Sequence, residues 1–108
     1  EWIIENNEEY CGKILNFKKG SKFSLHFHKN KRETFFILKG HVRLTYINLS
    51  NADRYSETLG PMSIARIPRL EPHQIEALEN CQIIEFSTHH DDSDSYRIEK
   101  GDSQKSNS

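Results

Sequence analysis

Gly20-Ser-Lys-Phe-Ser-Leu-His26-Phe-His28-Lys-Asn-Lys-Arg-Glu33-Thr-Phe-Phe-Ile-Leu-Lys-Gly40 is the stretch whose reading decides the fold. His26 and His28 are two residues apart, so in a strand of period two both imidazoles project from one face. A short polar turn then separates His28 from Glu33, long enough for a hairpin to set the carboxylate beside the imidazoles on the next strand. Phe35 and Ile37 share the parity of Glu33 and are expected to form an apolar floor under it. A further ligand has to come from elsewhere in the chain. His73, behind Ile67-Pro68 and Pro72, is the candidate, because proline fixes a rigid approach into the following strand. Three imidazoles and one carboxylate leave positions open on a divalent metal that takes five or six ligands, which points to ligand binding or catalysis.

Outward from this stretch, turn residues recur at short intervals: Gly12, Gly20, Gly40, Asn51, Gly60, Pro68 and Asn80. Between them lie runs rich in aromatic and β-branched residues at 13–17, 22–28, 33–38, 41–47, 55–59, 63–67, 74–78 and 81–87. Several alternate, as Val42, Leu44 and Tyr46 do with their polar neighbours, and no stretch carries a helical period. About eight short strands without covering helices must close into an all-β barrel or two-sheet jelly roll. The expected domain is 1–98, with 99–108 a disordered tail: Asp102-Ser-Gln-Lys-Ser-Asn-Ser has no apolar content.

The chain of 108 residues is one small domain, and hydrophobic residues at 34% leave it only a thin core. A net charge of −1 supplies no field to hold nucleic acid or acidic lipid, so neither is an expected partner. The longest apolar run, Phe35 to Leu38, falls far short of the ~20 residues of a membrane span. Cys11 and Cys81 sit in strand-like stretches and read as reduced, buried thiols, and a cytoplasmic location is the default expectation. The sequence starts at Glu1 rather than Met, so the native start is expected upstream.

Gly20, His26, His28, Glu33 and Gly40 stand at every marked position of the first motif of the cupins, and Gly60, Ile67-Pro68 and His73 resemble the second. Leu70 occupies the place of a glycine in that second motif, and Ala77 that of its final Asn. The resemblance implies a single-domain cupin, a double-stranded β-helix or jelly-roll barrel, with His26, His28, Glu33 and His73 holding a divalent transition metal: Zn, Mn, Fe, Ni or Co. A narrower resemblance is to the cupin domain that ends type II mannose-6-phosphate isomerases. It is carried by Lys13, Gly20, Ser24-Leu25, His28, Lys31 and Glu33, then Ile67-Pro68, Ile84-Glu85 and the acidic stretch leading to Arg97. That family has Gln where His26 stands, a wider spacing to the Arg, and a terminal Tyr-Gly-Arg that is missing here.

This narrower likeness implies a small-molecule ligand, a sugar or sugar phosphate, and aldose–ketose isomerisation by Lewis-acid chemistry at the metal. Lys22 shares parity with His26 and His28, and is a candidate both to anchor an anionic group and to carry the proton; Glu85 is the other candidate base. Arg97 could grip a phosphate or carboxylate through its bidentate fork, or pair with Asp91, Asp92 or Asp94. The other basic residues, Lys31 among them, read as solvated faces and hairpin tips, and His89-His90 as a solvated turn. His41 is expected to be exposed. A metal-dependent dioxygenase and a non-catalytic carbohydrate-binding cupin are the alternatives, and family likeness suggests a homodimer that pairs through exposed strand edges.

Overall fold

The computed structural model describes residues 1–99. Ten strands follow one another: β1 (Trp2–Asn6), β2 (Cys11–Phe17), β3 (Leu25–His28), β4 (Glu33–Lys39), β5 (Val42–Ile47), β6 (Arg54–Leu59), β7 (Ile64–Ile67), β8 (His73–Ala77), β9 (Cys81–Ser87) and β10 (Ser95–Glu99). They form two five-stranded sheets, β1-β2-β9-β4-β7 and β10-β3-β8-β5-β6, and every strand pair is antiparallel. This is the all-β jelly roll that the turn spacing predicts. β1 and β10 are additions to the expected set. After His90, Asp92–Asp94 form a single 3-10 turn and β10 then pairs with β3. Glu99 closes β10, one residue beyond the expected domain end, and the rest of the expected tail, 100–108, lies outside the described residues.

Period-two alternation builds the core. In β2, β4 and β9 the buried positions alternate with half-buried ones, and Leu15, Phe35, Ile37 and Ile83 meet Val42, Leu44, Ile75 and Ala77 of the opposite sheet. Each of these Leu, Ile, Val or Phe side chains fully removed from water contributes about 1.5–3 kcal/mol, and Ala77 less. Phe35 and Ile37 are 1% and 0% exposed, so the floor expected beneath Glu33 is in place. Both cysteines are free and buried.

The glycines of the motif have concrete duties. Gly40 turns β4 into β5 at φ 83°, and a Cβ there would lie 2.5 Å from the Asn80 carbonyl oxygen, so both the backbone and the space demand glycine. The turn Gly60-Pro61-Met62-Ser63 closes with the Ser63 amide donating to the Gly60 carbonyl at 3.2 Å and Met62 at φ 72°. Those are the features of a type II turn.

Candidate metal centre

His26 and His73 are direct cross-strand partners on β3 and β8, and His28 follows one pleat further along β3. The ligand atoms of the three imidazoles lie within 4.8 Å of one another. Each ring has a Nδ1 committed to a backbone carbonyl: His26 to Ser24 at 2.8 Å, His28 to Asp94 at 3.0 Å and His73 to Glu71 at 3.0 Å. A carbonyl only accepts, so each Nδ1 donates, and the lone pair of the neutral ring is left on Nε2.

Glu33, at the start of β4 in the other sheet, faces these rings. His28 Nε2 is 2.9 Å from Glu33 Oε1, and His73 Nε2 is 3.2 Å from Oε2. Despite that proximity, both Nε2 atoms and Glu33 Oε2 are buried without a hydrogen-bond partner among the described residues. Buried polar atoms are rarely left so. Lone pairs converging on one another need a cation between them, so the donor set fits a divalent transition metal, which the three imidazoles and Glu33 would hold.

The surrounding charges are arranged across the sheets. Sheet β10-β3-β8-β5-β6 supplies the imidazoles; sheet β1-β2-β9-β4-β7 supplies Lys13, Glu85 and Glu33, with Lys13 and Glu85 directly opposite each other. Lys31 is the unexpected member. Its ammonium sits 2.8 Å from Glu33 Oε1 and 3.3 Å from Glu85 Oε2, and donates to His90 Nδ1 at 3.0 Å. At 4% exposed it is a buried cation between two carboxylates and not the solvated hairpin tip that the sequence suggests. The loop can sink there because the Asp94 carboxylate, itself buried, accepts from the backbone amides of Lys29, Asn30 and Lys31.

Burial would lower the Lys31 ammonium, but Glu33 and Glu85 outweigh it and hold it above its ordinary value. Burial would raise the Glu33 carboxyl; contacts from His28 and His73, with Lys31 nearby, hold it well below the usual carboxylate range. Glu85 is pushed up by burial and by the charge of Glu33, against the pull of Lys31 and Lys13. Burial and the charge of His73 lower His26 to about 4. At neutral pH that ring is a free base with its lone pair available.

These groups line a cavity of about 520 Å3 whose wall includes His26, His28, Glu33, Lys31, Glu85 and Lys13, with Phe23 and Phe35 on the apolar side and His90 and Arg97 towards the mouth. Arg97 reaches the mouth because β10 places it opposite His26. The alternative, pairing with an acidic neighbour, is not seen among the described residues: Asp94 caps the hairpin loop and Asp92 accepts from His90 Nε2 at 2.7 Å. His90 is therefore no solvated turn residue, while His89 goes elsewhere, its Nδ1 donating to the Asn7 carbonyl at 2.7 Å. His41 is exposed and pairs with Glu79.

Lys22 does not line this cavity; Phe23 does. The expected parity fails there because β3 begins only at Leu25, and Lys22 instead makes a β-bridge to Glu76 on β8. Lys13 was open to discovery in the sequence: a lysine at the buried parity of Cys11 and Leu15 is a cost no strand carries without reason. Lys31 was not, because nothing local signals that a loop residue is drawn inward by a carboxylate more than 60 positions away.

The sequence profile of the cupins matches residues 6–103, nearly the whole chain. The chain is a cupin. No curated protein sequence matches it. Among solved structures, oxalate decarboxylase from Bacillus subtilis superposes with a TM-score of 0.77 at 20% identity, over 84% of this cupin and 24% of that chain. KdgF from Halomonas sp. gives 0.73 at 16% identity, over 84% of this chain and 80% of that one. CapF, solved with the inhibitor 3-isopropenyl-tropolone, gives 0.77 at 19% identity, over 89% and 30%. At these identities the likeness is one of fold, and this cupin spans about a quarter of the length of the oxalate decarboxylase chain. What the cupin itself carries is the histidine triad of a divalent transition metal site, and among the described residues no helix is long and apolar enough to cross a membrane.

Proposed function

We propose that this cupin is a metal-dependent isomerase of a small anionic sugar, interconverting an aldose phosphate and its ketose. The observation that carries the reading is the placement of Glu85 and the cations Lys31, Lys13 and Arg97 on the wall of the same cavity as His26, His28 and Glu33. The resemblance of Lys13, Gly20, Ser24-Leu25, His28, Lys31 and Glu33 to type II mannose-6-phosphate isomerases supports it further. A divalent metal held by His26, His28, His73 and Glu33 would polarise the carbonyl and the neighbouring hydroxyl of an open-chain sugar.

Glu85 is the base in this reading. Its carboxylate takes the proton from C2 and returns it to C1, while a hydroxyl proton passes from O2 to O1, so no oxidant or reductant is consumed. A buried carboxyl raised toward neutrality suits a group that must both accept and give. Lys31 bridges Glu85 to Glu33 and fixes the direction in which the carboxylate points. Arg97, exposed on β10, takes the anchoring role expected of Lys22 and holds the phosphate at the mouth, with the buried ammonium of Lys13 adding positive charge from within. Phe23 and Phe35 keep water from the reacting carbons. The two buried thiols suit a reducing compartment, and we place the protein in the cytoplasm on that ground.

The test is turnover of a panel of aldose phosphates by protein purified without chelators, under air and under nitrogen, with Zn2+ and with Mn2+. The reading predicts isomerisation that persists without oxygen and with redox-silent Zn2+, and a loss of about 100-fold or more in kcat for Glu85→Gln. Oxygen uptake would identify a dioxygenase instead, and metal-dependent sugar binding without turnover a non-catalytic cupin.

A further inference from the structure

His89 and His90 are fastened to the end of β1. Asn6 meets the backbone of His90 at two points, its Nδ2 donating to the His90 carbonyl and its Oδ1 accepting from the His90 amide, each at 3.0 Å. His89 adds its bond to the Asn7 carbonyl. So fixed, the His90 ring lines the cavity with its side chain only 18% exposed. Its partners place the ring proton. An ammonium only donates, so Nδ1 accepts from Lys31 at 3.0 Å; a carboxylate only accepts, so Nε2 donates to Asp92 at 2.7 Å. Burial and the charge of Lys31 hold the ring below its ordinary value, against the pull of Asp92. His90 is thus a neutral ring in one tautomer, the opposite of the tautomer of the three imidazoles at the metal centre, whose Nδ1 atoms all donate.

We propose that His90 is a positioning residue: it supplies the third acceptor that locks the Lys31 ammonium between Glu33 and Glu85, and through Lys31 it aims the Glu85 carboxylate. The role of Glu85 in this inference rests on the isomerase reading above. The ammonium has three protons and, among the described residues, three acceptors: Glu33 Oε1 at 2.8 Å, His90 Nδ1 at 3.0 Å and Glu85 Oε2 at 3.3 Å. The bond to Glu85 is the longest, so it depends most on the ammonium staying where it is. With the His90 acceptor gone, a buried N–H is left without a partner. The lysine then settles on Glu33, the nearer carboxylate, and Glu85 loses the contact that fixes its direction. A misplacement of 1 Å in a reacting group costs about 100-fold in rate. Substrate anchoring at Arg97 does not pass through Lys31, so binding is spared. Asn6 acts one step further out: it is not on the cavity wall, yet it sets the place of the ring that is.

Two variants of zinc-loaded protein separate the acceptor from mere bulk. His90→Leu keeps much of the volume and removes the acceptor; His90→Asn keeps one, since its Oδ1 stands as many bonds from the backbone as the Nδ1 it replaces. His90→Leu should lower kcat on the aldose phosphate by about 10-fold to 100-fold with KM unchanged, and His90→Asn should recover most of that loss. Asn6→Ala should lower kcat in the same sense by a smaller factor, and metal content should match the parent's throughout. A kcat retained in His90→Leu, a loss that falls on KM instead, or a His90→Asn as slow as His90→Leu overturns the proposal. Nitrogen-15 NMR of the same proteins gives a reading that needs no turnover. In the parent, His90 Nδ1 should show the shift of a bare nitrogen and Nε2 that of a protonated one, and the Lys31 ammonium signal should move in His90→Leu. A protonated Nδ1, or a Lys31 signal indifferent to His90→Leu, overturns the hold on Lys31. A parent that shows the expected signals but turns over no aldose phosphate upholds that hold and strikes the isomerase reading alone.

Discussion

Leu70 holds its backbone at φ 72°, a left-handed conformation that suits glycine, and its amide donates to the His28 carbonyl at 2.7 Å. It stands where the second cupin motif has Gly, so the departure visible in the sequence has a backbone cost. Its side chain is half exposed and contributes little packing in return. Leu70→Gly is expected to raise stability by about 1 kcal/mol, the relief of strain exceeding the entropy glycine adds to the unfolded chain; thermal or urea unfolding measures it. His26 makes a second prediction at this scale. Its folded value of about 4 lies below the unfolded one, so as pH falls the unfolded chain takes up a proton first. Stability is full above about pH 6.5 and declines toward pH 4, by on the order of 2–3 kcal/mol from this ring. In chelated protein, His26→Gln should flatten that slope relative to the parent, whereas an identical slope would contradict the placement. His73 is a separate matter: burial would lower it, but contact with Glu33 raises it, and the resulting dependence on pH has the opposite sign. The comparison with His26→Gln cancels it.

The segment from Asp91 to Glu99 does more than close the second sheet. Asp94 accepts from His28 Nδ1 through its backbone carbonyl and from three loop amides through its side chain, so one residue orients a metal ligand and seats the loop that carries Lys31. Asp94→Ala leaves those amides unpaired and is expected to cost about 1–3 kcal/mol and to weaken metal affinity about tenfold or more, read by unfolding and by metal titration. An unchanged affinity would show that His28 is held by other means. Eight strands were legible from turn spacing and composition, and seven of them bury residues towards the core; β6 is exposed up to Leu59 and was legible from its flanking turns alone. β1 and β10 were not, since all their residues are exposed and no buried parity marks them. The reach of Asp94 across more than 60 residues leaves no local trace either.

For the whole molecule, the motif residues bring two sheets together around one point, and that point was legible because strand parity and turn length are local properties. His26, His28 and Glu33 come together as their spacing implies, His73 joins them as the cross-strand partner of His26, and Glu85 and Arg97 line the same cavity. Lys22 does not, because parity was carried through a segment that is not a strand. The charge network of Lys13, Lys31 and His90 depends on which strands become neighbours across the barrel, and this emerges only in the fold. The central claim is that three imidazole Nε2 atoms share one cation. The most direct measurement is electron spin echo spectroscopy of protein loaded with one equivalent of Mn2+, which detects each coordinating imidazole through its nitrogen. The account predicts one tightly held ion per chain with three imidazole couplings, falling to two or to no binding in His28→Ala while the barrel stays folded. A spectrum of hydrated Mn2+ without imidazole couplings, or full couplings retained in His28→Ala, would contradict it.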